Sequence, residues 1–425
     1  MAHGPGGPRA AEACAFLRNP ATYEADRMRA TYSAGIDAAS VNALFPGGAF
    51  FGLPAVKTGV RGSRVDGPAR VPASLLRALG WTESNLTMAA RSVPFETTGP
   101  ALVSFDCGYG TMQVTTGMTV PLGTDNRPSA NQANVAGHYL YNIARGAFIL
   151  ADKWNAAPDY RPIAGTDTRG DSNIIENWYY AVWGYNGFTG PGAVQSNHPL
   201  DPRFASNRER WKCDGTQSRT KYPYQEVVWG CMASPPAVNG QQLWAPVPAS
   251  LPNLSDPKYA QPLGLANFTM PYAGMDMPTA QPAHTQVAPS VPAGFASRAR
   301  GSPTLSVPDA SIELALDGGP QAAKATVTVA NPGTGILVWM AVPSANWIVV
   351  DPPAGVALGS DVPCSSGCVR TGTFTVTINP AALPQSVTSG TITVTAANAS
   401  SPPVTVTINA SADFDLAAPG TSRAY

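Results

Sequence analysis

Two incompatible periods run along this chain, and together they require more than one kind of layer. Between residues 71 and 182 apolar side chains recur three or four positions apart, as on one face of a helix; beyond residue 304 they alternate with Thr at a spacing of two, as on one face of a strand. The helical pattern is carried by Val71, Leu75, Leu76 and Leu79, stopping at Gly80, and then by Val135, Tyr139, Ile143, Ala147, Leu150 and Trp154. A third helix is expected from Asp171, an N-cap residue, through Ile174, Ile175, Trp178, Tyr179 and Val182. The alternating segments are 325–329, 373–378, 391–395 and 404–408, separated by turns such as Asn331-Pro332-Gly333. One apolar face and one Thr face, repeated, predict an antiparallel sandwich.

Between the two regions Pro recurs every few residues, including Pro246, Pro252, Pro262, Pro271, Pro282 and Pro292. Such a stretch continues neither a helix nor a central strand, so it reads as an extended connector or as a segment laid along a domain surface. The chain is therefore multidomain. Its expected parts are an N-terminal extension (1–66), a mainly α domain (67–234), a Pro-rich linker (235–303), an all-β sandwich (304–412) and a tail (413–425). The segment 191–231 has no clean period and is expected as a disulfide-held extension packed on the helical domain.

Charge limits the partners. Basic and acidic residues number 27 each, so nothing attracts the chain in bulk to nucleic acid or to an anionic membrane. Charged residues make up 13% of the chain, whereas Gly (41) and Pro (42) are abundant, a balance that suits an exported, loop-rich protein. No apolar run approaches a membrane span, and residues 1–8 show neither the basic nor the apolar region of an export leader. The six cysteines support three disulfides, with sequence neighbourhood favouring Cys213 with Cys231 and Cys364 with Cys368, which leaves Cys14 for Cys107. A zinc site is disfavoured, because there is no Cys-x2-Cys pair and His3, His138, His198 and His284 are scattered.

Four short motifs carry the chemistry. They are Thr82-Glu83-Ser84-Asn85, Gly108-Tyr109-Gly110-Thr111-Met112-Gln113, Tyr141-Asn142-Ile143-Ala144-Arg145-Gly146 and Tyr185-Asn186-Gly187. Glu83 follows an apolar helix and Trp81, a setting that penalises the carboxylate and keeps the acid protonated near neutral pH. A lysozyme glutamate buried against a Trp shows that effect. Residues 70–195 resemble the lysozyme-like superfamily, specifically soluble lytic transglycosylases and goose-type lysozymes. The matching elements are Glu83-Ser84, Ala90-Arg91-Ser92, Gly110-Thr111-Met112-Gln113 with Thr in place of the usual Leu, Asn142-Ile143-Ala144-Arg145-Gly146, Gly184-Tyr185-Asn186-Gly187 and a displaced Gly190-Pro191-Gly192-Ala193-Val194.

The resemblance implies that Glu83 is the general acid and that Ser84, Met112, Gln113, Tyr185 and Asn186 line a cleft holding an acetamido sugar. Amide side chains donate and accept at once, which matches an N-acetyl group, and Tyr offers a flat apolar face with a polar tip. Asp106-Cys107-Gly108-Tyr109-Gly110 resembles the run that precedes Met-Gln in goose-type lysozymes, so Asp106 is the second-carboxylate candidate, ahead of Glu96, Glu176 and Asp125. Either it holds a water, giving inverting hydrolysis, or it caps a turn. In the latter case the substrate's own acetamido group and C6 hydroxyl complete an anhydro-forming cleavage. The segment 93–105 departs from the compact pattern and is expected either to shape the cleft or to occlude it. Beyond it, Gly333-Thr334-Gly335-Ile336-Leu337-Val338-Trp339 and Asn346-Trp347-Ile348 resemble the immunoglobulin-like BACON-type modules found beside bacterial carbohydrate-active domains.

The expectation is thus a lysozyme-like domain followed by an immunoglobulin-like sandwich. Its function would be cleavage of the MurNAc-GlcNAc bond of peptidoglycan glycan strands, without metal or organic cofactor. The setting would be secreted, periplasmic, in the cell envelope or on a virion, with the sandwich as a possible attachment to a surface or particle. The alternatives are a non-catalytic glycan-binding protein and a structural surface or virion component.

Overall fold

The computed structural model of the protein describes residues 14–190, 193–257, 276–316, 324–384 and 389–412. The expected tail 413–425, the first thirteen residues of the expected extension, Pro191-Gly192 and the linker prolines Pro262 and Pro271 lie outside the described residues.

The helices are α1 (Ala30–Ser40), α2 (Ala73–Ser84), α3 (Ala130–Gly137), α4 (Tyr139–Tyr160), α5 (Tyr179–Tyr185), α6 (Tyr224–Ala233) and a short α7 (Phe295–Arg300). Four small two-stranded pairings brace them. β1 (Ala21–Glu24) pairs with β4 (Thr97–Pro100), β2 (Lys57–Thr58) with β3 (Val65–Asp66), β5 (Ile163–Ala164) with β8 (Asp276–Met277), and β6 (Ala237–Val238) with β7 (Gln241–Gln242).

Three helix expectations are corrected. Helix α2 does not stop at Gly80 but runs to Ser84, where Asn85 in the left-handed region (φ 60°) caps it. The glycine is there for proximity: a Cβ on Gly80 would lie 2.7 Å from Leu86 Cδ2 and 3.0 Å from Met112 Sδ. The second expected helix is two. His138 leaves the helical region (φ −130°, ψ 121°), and its buried ring accepts from the Leu140 N–H to start α4. Asp171 does not cap the third; its carboxylate accepts from the Asn173 N–H, and a 3₁₀ turn (Ile175–Trp178) leads into α5.

The larger departure is α6. Expected as part of an extension, it packs on α2, and every residue from Tyr224 to Met232 is buried, Gln225 and Glu226 included. A helix covered on all sides has no polar face, so its sequence carries no amphipathic period. Residues of the expected N-terminal extension also enter the helical core, among them Phe16, Tyr32 and Ile36. The Pro-rich stretch follows the second of its two expected courses in its described part. Met277 is in the core, Gln286 Oε1 accepts from the Ser74 N–H and His284 Nδ1 lies 2.7 Å from buried Glu176.

The C-terminal region is built of two sheets. The strands are β9 (Ser311–Leu316), β10 (Lys324–Val329), β11 (Ile336–Pro343), β12 (Ile348–Asp351), β13 (Ala354–Leu358), β14 (Gly372–Ile378), β15 (Ser389–Ala396) and β16 (Val404–Ala412). One sheet has the order β10-β14-β12, the other β13-β11-β15-β16-β9, and all neighbours are antiparallel except β16 with β9. The alternation read from sequence turns Val327, Val329, Phe374, Val376, Ile392, Val394, Val406 and Ile408 into the space between the sheets. Strand β11 is buried on both faces. Leu337, Trp339 and Ala341 join the inter-sheet core, whereas Ile336, Val338 and Met340 join the core of the helical region. Helix α3 packs on β11 and β13, and Asn134 Nδ2 and Tyr23 Oη donate across the seam to the carbonyls of Ala397 (3.0 Å) and Pro363 (2.7 Å).

Three disulfides join Cys14 to Cys107, Cys213 to Cys231 and Cys364 to Cys368. They are compatible with an oxidising, extracytosolic setting. Among the described residues no helix is long and apolar enough to cross a membrane.

Leu337 is fully buried between the sheets, so Leu337→Ala is expected to lower unfolding free energy by about 2–5 kcal/mol in urea denaturation. A loss near zero would contradict the packing described for β11.

Candidate active site

The turn from Tyr109 to Val114 is held from three directions, each by a different sequence motif. Ser84 Oγ, at the end of α2, donates to the Thr111 carbonyl at 2.7 Å. Asn142, on α4, accepts from the Met112 N–H at 2.8 Å and donates to the Tyr109 carbonyl at 2.7 Å. Tyr185, ending α5, donates its hydroxyl to the Met112 carbonyl at 2.8 Å. The Met112 side chain then fills the gap between α2 and α4. It needs glycine on both walls, since a Cβ on Gly146 would lie 2.5 Å from Met112 Cβ and one on Gly80 would lie 3.0 Å from its sulfur.

This settles where the expected sugar-binding residues lie. Gln113 follows the turn in the left-handed region (φ 44°), its Nε2 donating to the Gly110 carbonyl at 2.9 Å, and it lines a cavity of about 550 Å³. Met112 does not face that cavity; it is a fully buried core residue. Ser84 borders the cavity, but its hydroxyl is engaged with the Gly80 and Thr111 carbonyls and the Thr87 N–H. Tyr185 and Asn186 do not line the cavity. Asn186 Oδ1 accepts from Asn197, whose own Oδ1 accepts from the Tyr224 N–H, so the fourth motif positions the start of α6.

Glu83 is on the cavity wall in the last turn of α2, 9% exposed. Its Oε1 accepts a short hydrogen bond from the Tyr224 hydroxyl. Burial pushes the Glu83 carboxyl above the ordinary carboxylate range; Tyr224 and Arg219 pull it back and Asp106 adds a smaller push. Trp81, Leu102, Val103, Trp211 and Val227 are among the apolar side chains on the same cavity. The position at a helix C-terminus adds to the cost of the ionised form.

Asp106 is exposed, accepts from Ser104 Oγ and is not part of the cavity lining; Ser104 Oγ in turn accepts from the Gly108 N–H at 2.8 Å. Asp106 thus orients the Ser104 hydroxyl that caps the turn, a geometry that corresponds to the second of its two expected roles. The cavity's other carboxyl is Glu24, which is 1% exposed and accepts from the Tyr32 hydroxyl and the Met88 and Ala89 N–H groups, each at 2.9 Å. Burial raises its pKa as well. Segment 93–105 supplies Val93, Phe95, Leu102, Val103 and Ser104 to the cavity, so it shapes a wall and leaves the space open.

Sequence reasoning missed Tyr224, Glu24, Trp211 and the arginines of this cavity, Arg29, Arg91 and Arg219. Only Arg91 lay within a quoted motif. Tyr224 had no signal, because 141 residues separate it from Glu83. Among the described residues no cluster of His, Cys, Asp and Glu is arranged to hold a metal ion.

No family model matches the chain, and no curated protein does. Solved structures match parts of it. A Caenorhabditis elegans MSP family member, WR4, is 12% identical over 25% of this chain and 97% of its own, with a TM-score of 0.19. The PapD-like domain 7 of human CEP192 is 10% identical over 30% and 98%, with a TM-score of 0.19. A Bacteroides ovatus GH5 xyloglucanase is 15% identical over 25% of this chain and 19% of its own, with a TM-score of 0.18. At these scores the likenesses decide neither fold nor function.

The folded state holds the Glu83 proton more tightly than the unfolded chain does, so this group's contribution to stability declines as pH rises from the ordinary carboxyl range through its raised folded pKa. Glu83→Gln removes that decline. The variant is expected to gain stability over the wild type as pH rises through this window, read as thermal midpoints from pH 4 to 8; a difference that does not change with pH would sink the account. Tyr224→Phe, which deletes a bond to the carboxylate, should move the Glu83 titration further up, as read by carboxyl ¹³C NMR.

Proposed function

We propose that the protein is a peptidoglycan-cleaving glycosidase of the lysozyme-like type, with Glu83 as general acid and an immunoglobulin-like sandwich as its C-terminal module. The observation that carries the reading is the Glu83–Tyr224 pair: a carboxyl held by a hydroxyl, raised by burial, on the wall of an open cavity. A general acid must hold its proton when substrate arrives and give it to the glycosidic oxygen as the bond breaks, and burial acts in that direction at Glu83. The carboxylate left behind is stabilised by the Tyr224 hydroxyl and by the nearby charge of Arg219. Gln113 offers its amide to an acetamido group in the same space.

The surroundings favour the anhydro-forming outcome over hydrolysis. Inverting hydrolysis needs a second carboxylate free to activate water. Asp106 lies off the cavity, and Glu24 already accepts three hydrogen bonds. In that arrangement the substrate's acetamido group stabilises the cation, and the Glu83 carboxylate takes the proton of the C6 hydroxyl as it closes the ring. The disulfides and the absence of a spanning helix among the described residues suit a secreted or envelope setting, and the sandwich is the part proposed to attach to a surface or particle.

The test is digestion of purified peptidoglycan with mass spectrometry of the released fragments. Wild type is expected to release 1,6-anhydro-muramyl ends, Glu83→Gln to lose at least about 10²-fold in rate, and Asp106→Asn to stay within about threefold, because a turn cap contributes to stability rather than to chemistry. Reducing ends with an inactive Asp106→Asn would restore the hydrolase reading. No soluble product, with binding to the polymer retained, would leave a glycan-binding protein.

A further inference from the structure

The cavity that holds Glu83 is lined by three arginines, Arg29, Arg91 and Arg219. None of the three forms a close ion pair among the described residues, where those of arginine belong to Arg18, Arg61, Arg77, Arg203 and Arg208, although the charges of Arg29 and Arg219 act on Glu24 and Glu83. Two are fixed in place by backbone carbonyls and aromatic rings. Arg29 Nε donates to the Asn85 carbonyl at 3.1 Å, and its guanidinium lies 4.7 Å from the Phe95 ring centre. Arg219 donates to the Tyr222 carbonyl at 3.3 Å and lies 5.7 Å from the Tyr224 ring centre. Arg91 is exposed and makes no hydrogen bond among the described residues, so its whole fork is open to a ligand.

The cavity sets two carboxyls, Glu24 and Glu83, against these three guanidiniums, and burial works against the anionic form of both. A chain with no net charge has therefore concentrated positive charge in one cleft. Sugar hydroxyls and acetamido groups do not call for this, because neutral donors and acceptors match them. A planar guanidinium fork matches a carboxylate.

We infer that the glycan strand taken by this cleft is recognised through its carboxylates, with Arg91 as the residue that selects them and Arg29 and Arg219 supplying the surrounding field. This rests on the glycosidase reading for the chemistry at Glu83, but not for the binding. In a muramyl polymer carboxylates have two sources, the peptide stems and, only on sugars that carry no stem, the lactyl ether, since an attached stem ties up the lactyl carboxyl as its amide.

The experiment uses the full chain, wild type and Arg91→Glu, on three forms of one polymer: native strands, strands stripped of peptide by an amidase, and strands whose carboxyls are all converted to neutral amides. Amidation of the polymer is expected to lower wild-type kcat/KM about tenfold, mainly through KM, as for loss of a charge-assisted hydrogen bond. Arg91→Glu is expected to lose a similar factor on native strands and far less on amidated ones. Because the amidase frees the lactyl carboxyl as it removes the stem, a loss that vanishes on stripped strands assigns the stems, and one that persists there shows that the lactyl carboxylate is recognised as well. Equal loss on native and amidated strands, or no effect of amidation on the wild type, overturns the inference. If the wild type cuts none of the three, the glycosidase reading fails separately. Sedimentation with the same strands then decides: binding weakened by amidation supports the inference, and binding indifferent to it overturns it.

Discussion

The turn from Tyr109 to Val114 is the point on which the helical region depends. Its backbone carbonyls and amides are bound by side chains from α2, α4 and α5, and its Met112 side chain separates α2 from α4 at two glycine notches. A buried turn has peptide groups that water cannot satisfy, so its partners must come from the surrounding helices. Once they do, the end of α2 is fixed relative to Gln113, and with it the Glu83 carboxyl. Helix α6 completes the arrangement by bringing Tyr224 onto that carboxyl.

This changes the meaning of the motif residues. Ser84 and Tyr185 are expected to line a sugar cleft, and Asn142 and Gly146 stand in the same series of motifs, yet each has a structural task in gripping the turn. Residues that build the frame and residues that face the substrate are interleaved in the same short stretches. Gln113 and Glu83 face the cavity, whereas their neighbours Met112 and Ser84 do not offer it a free group.

How much was legible follows from physical periodicity. The sandwich strands could be read because one face is buried and the other carries Thr, as in β14, where Phe374, Val376 and Ile378 alternate with less buried Thr residues. Helix α4 was readable for the corresponding reason, although the His138 break was not, since a capping histidine looks like any other polar residue in a helical run. Helix α6 was invisible because burial on every side erases the pattern. Within the site, Glu83 and Gln113 were legible through their motifs. Tyr224 and Arg219 were not, because a contact between distant segments leaves no local trace.

Strand β11 belongs to two cores at once, and hydrogen bonds from Tyr23 and Asn134 cross the same seam. A sandwich on a free tether would absorb a pull by straightening its linker. Here a force applied to the sandwich passes through β11 into α3, and through the His138 break into α4, whose Asn142 holds the turn behind the cleft. Anchoring the molecule by its β-sandwich therefore sets the orientation of the cleft as well as its distance from the surface.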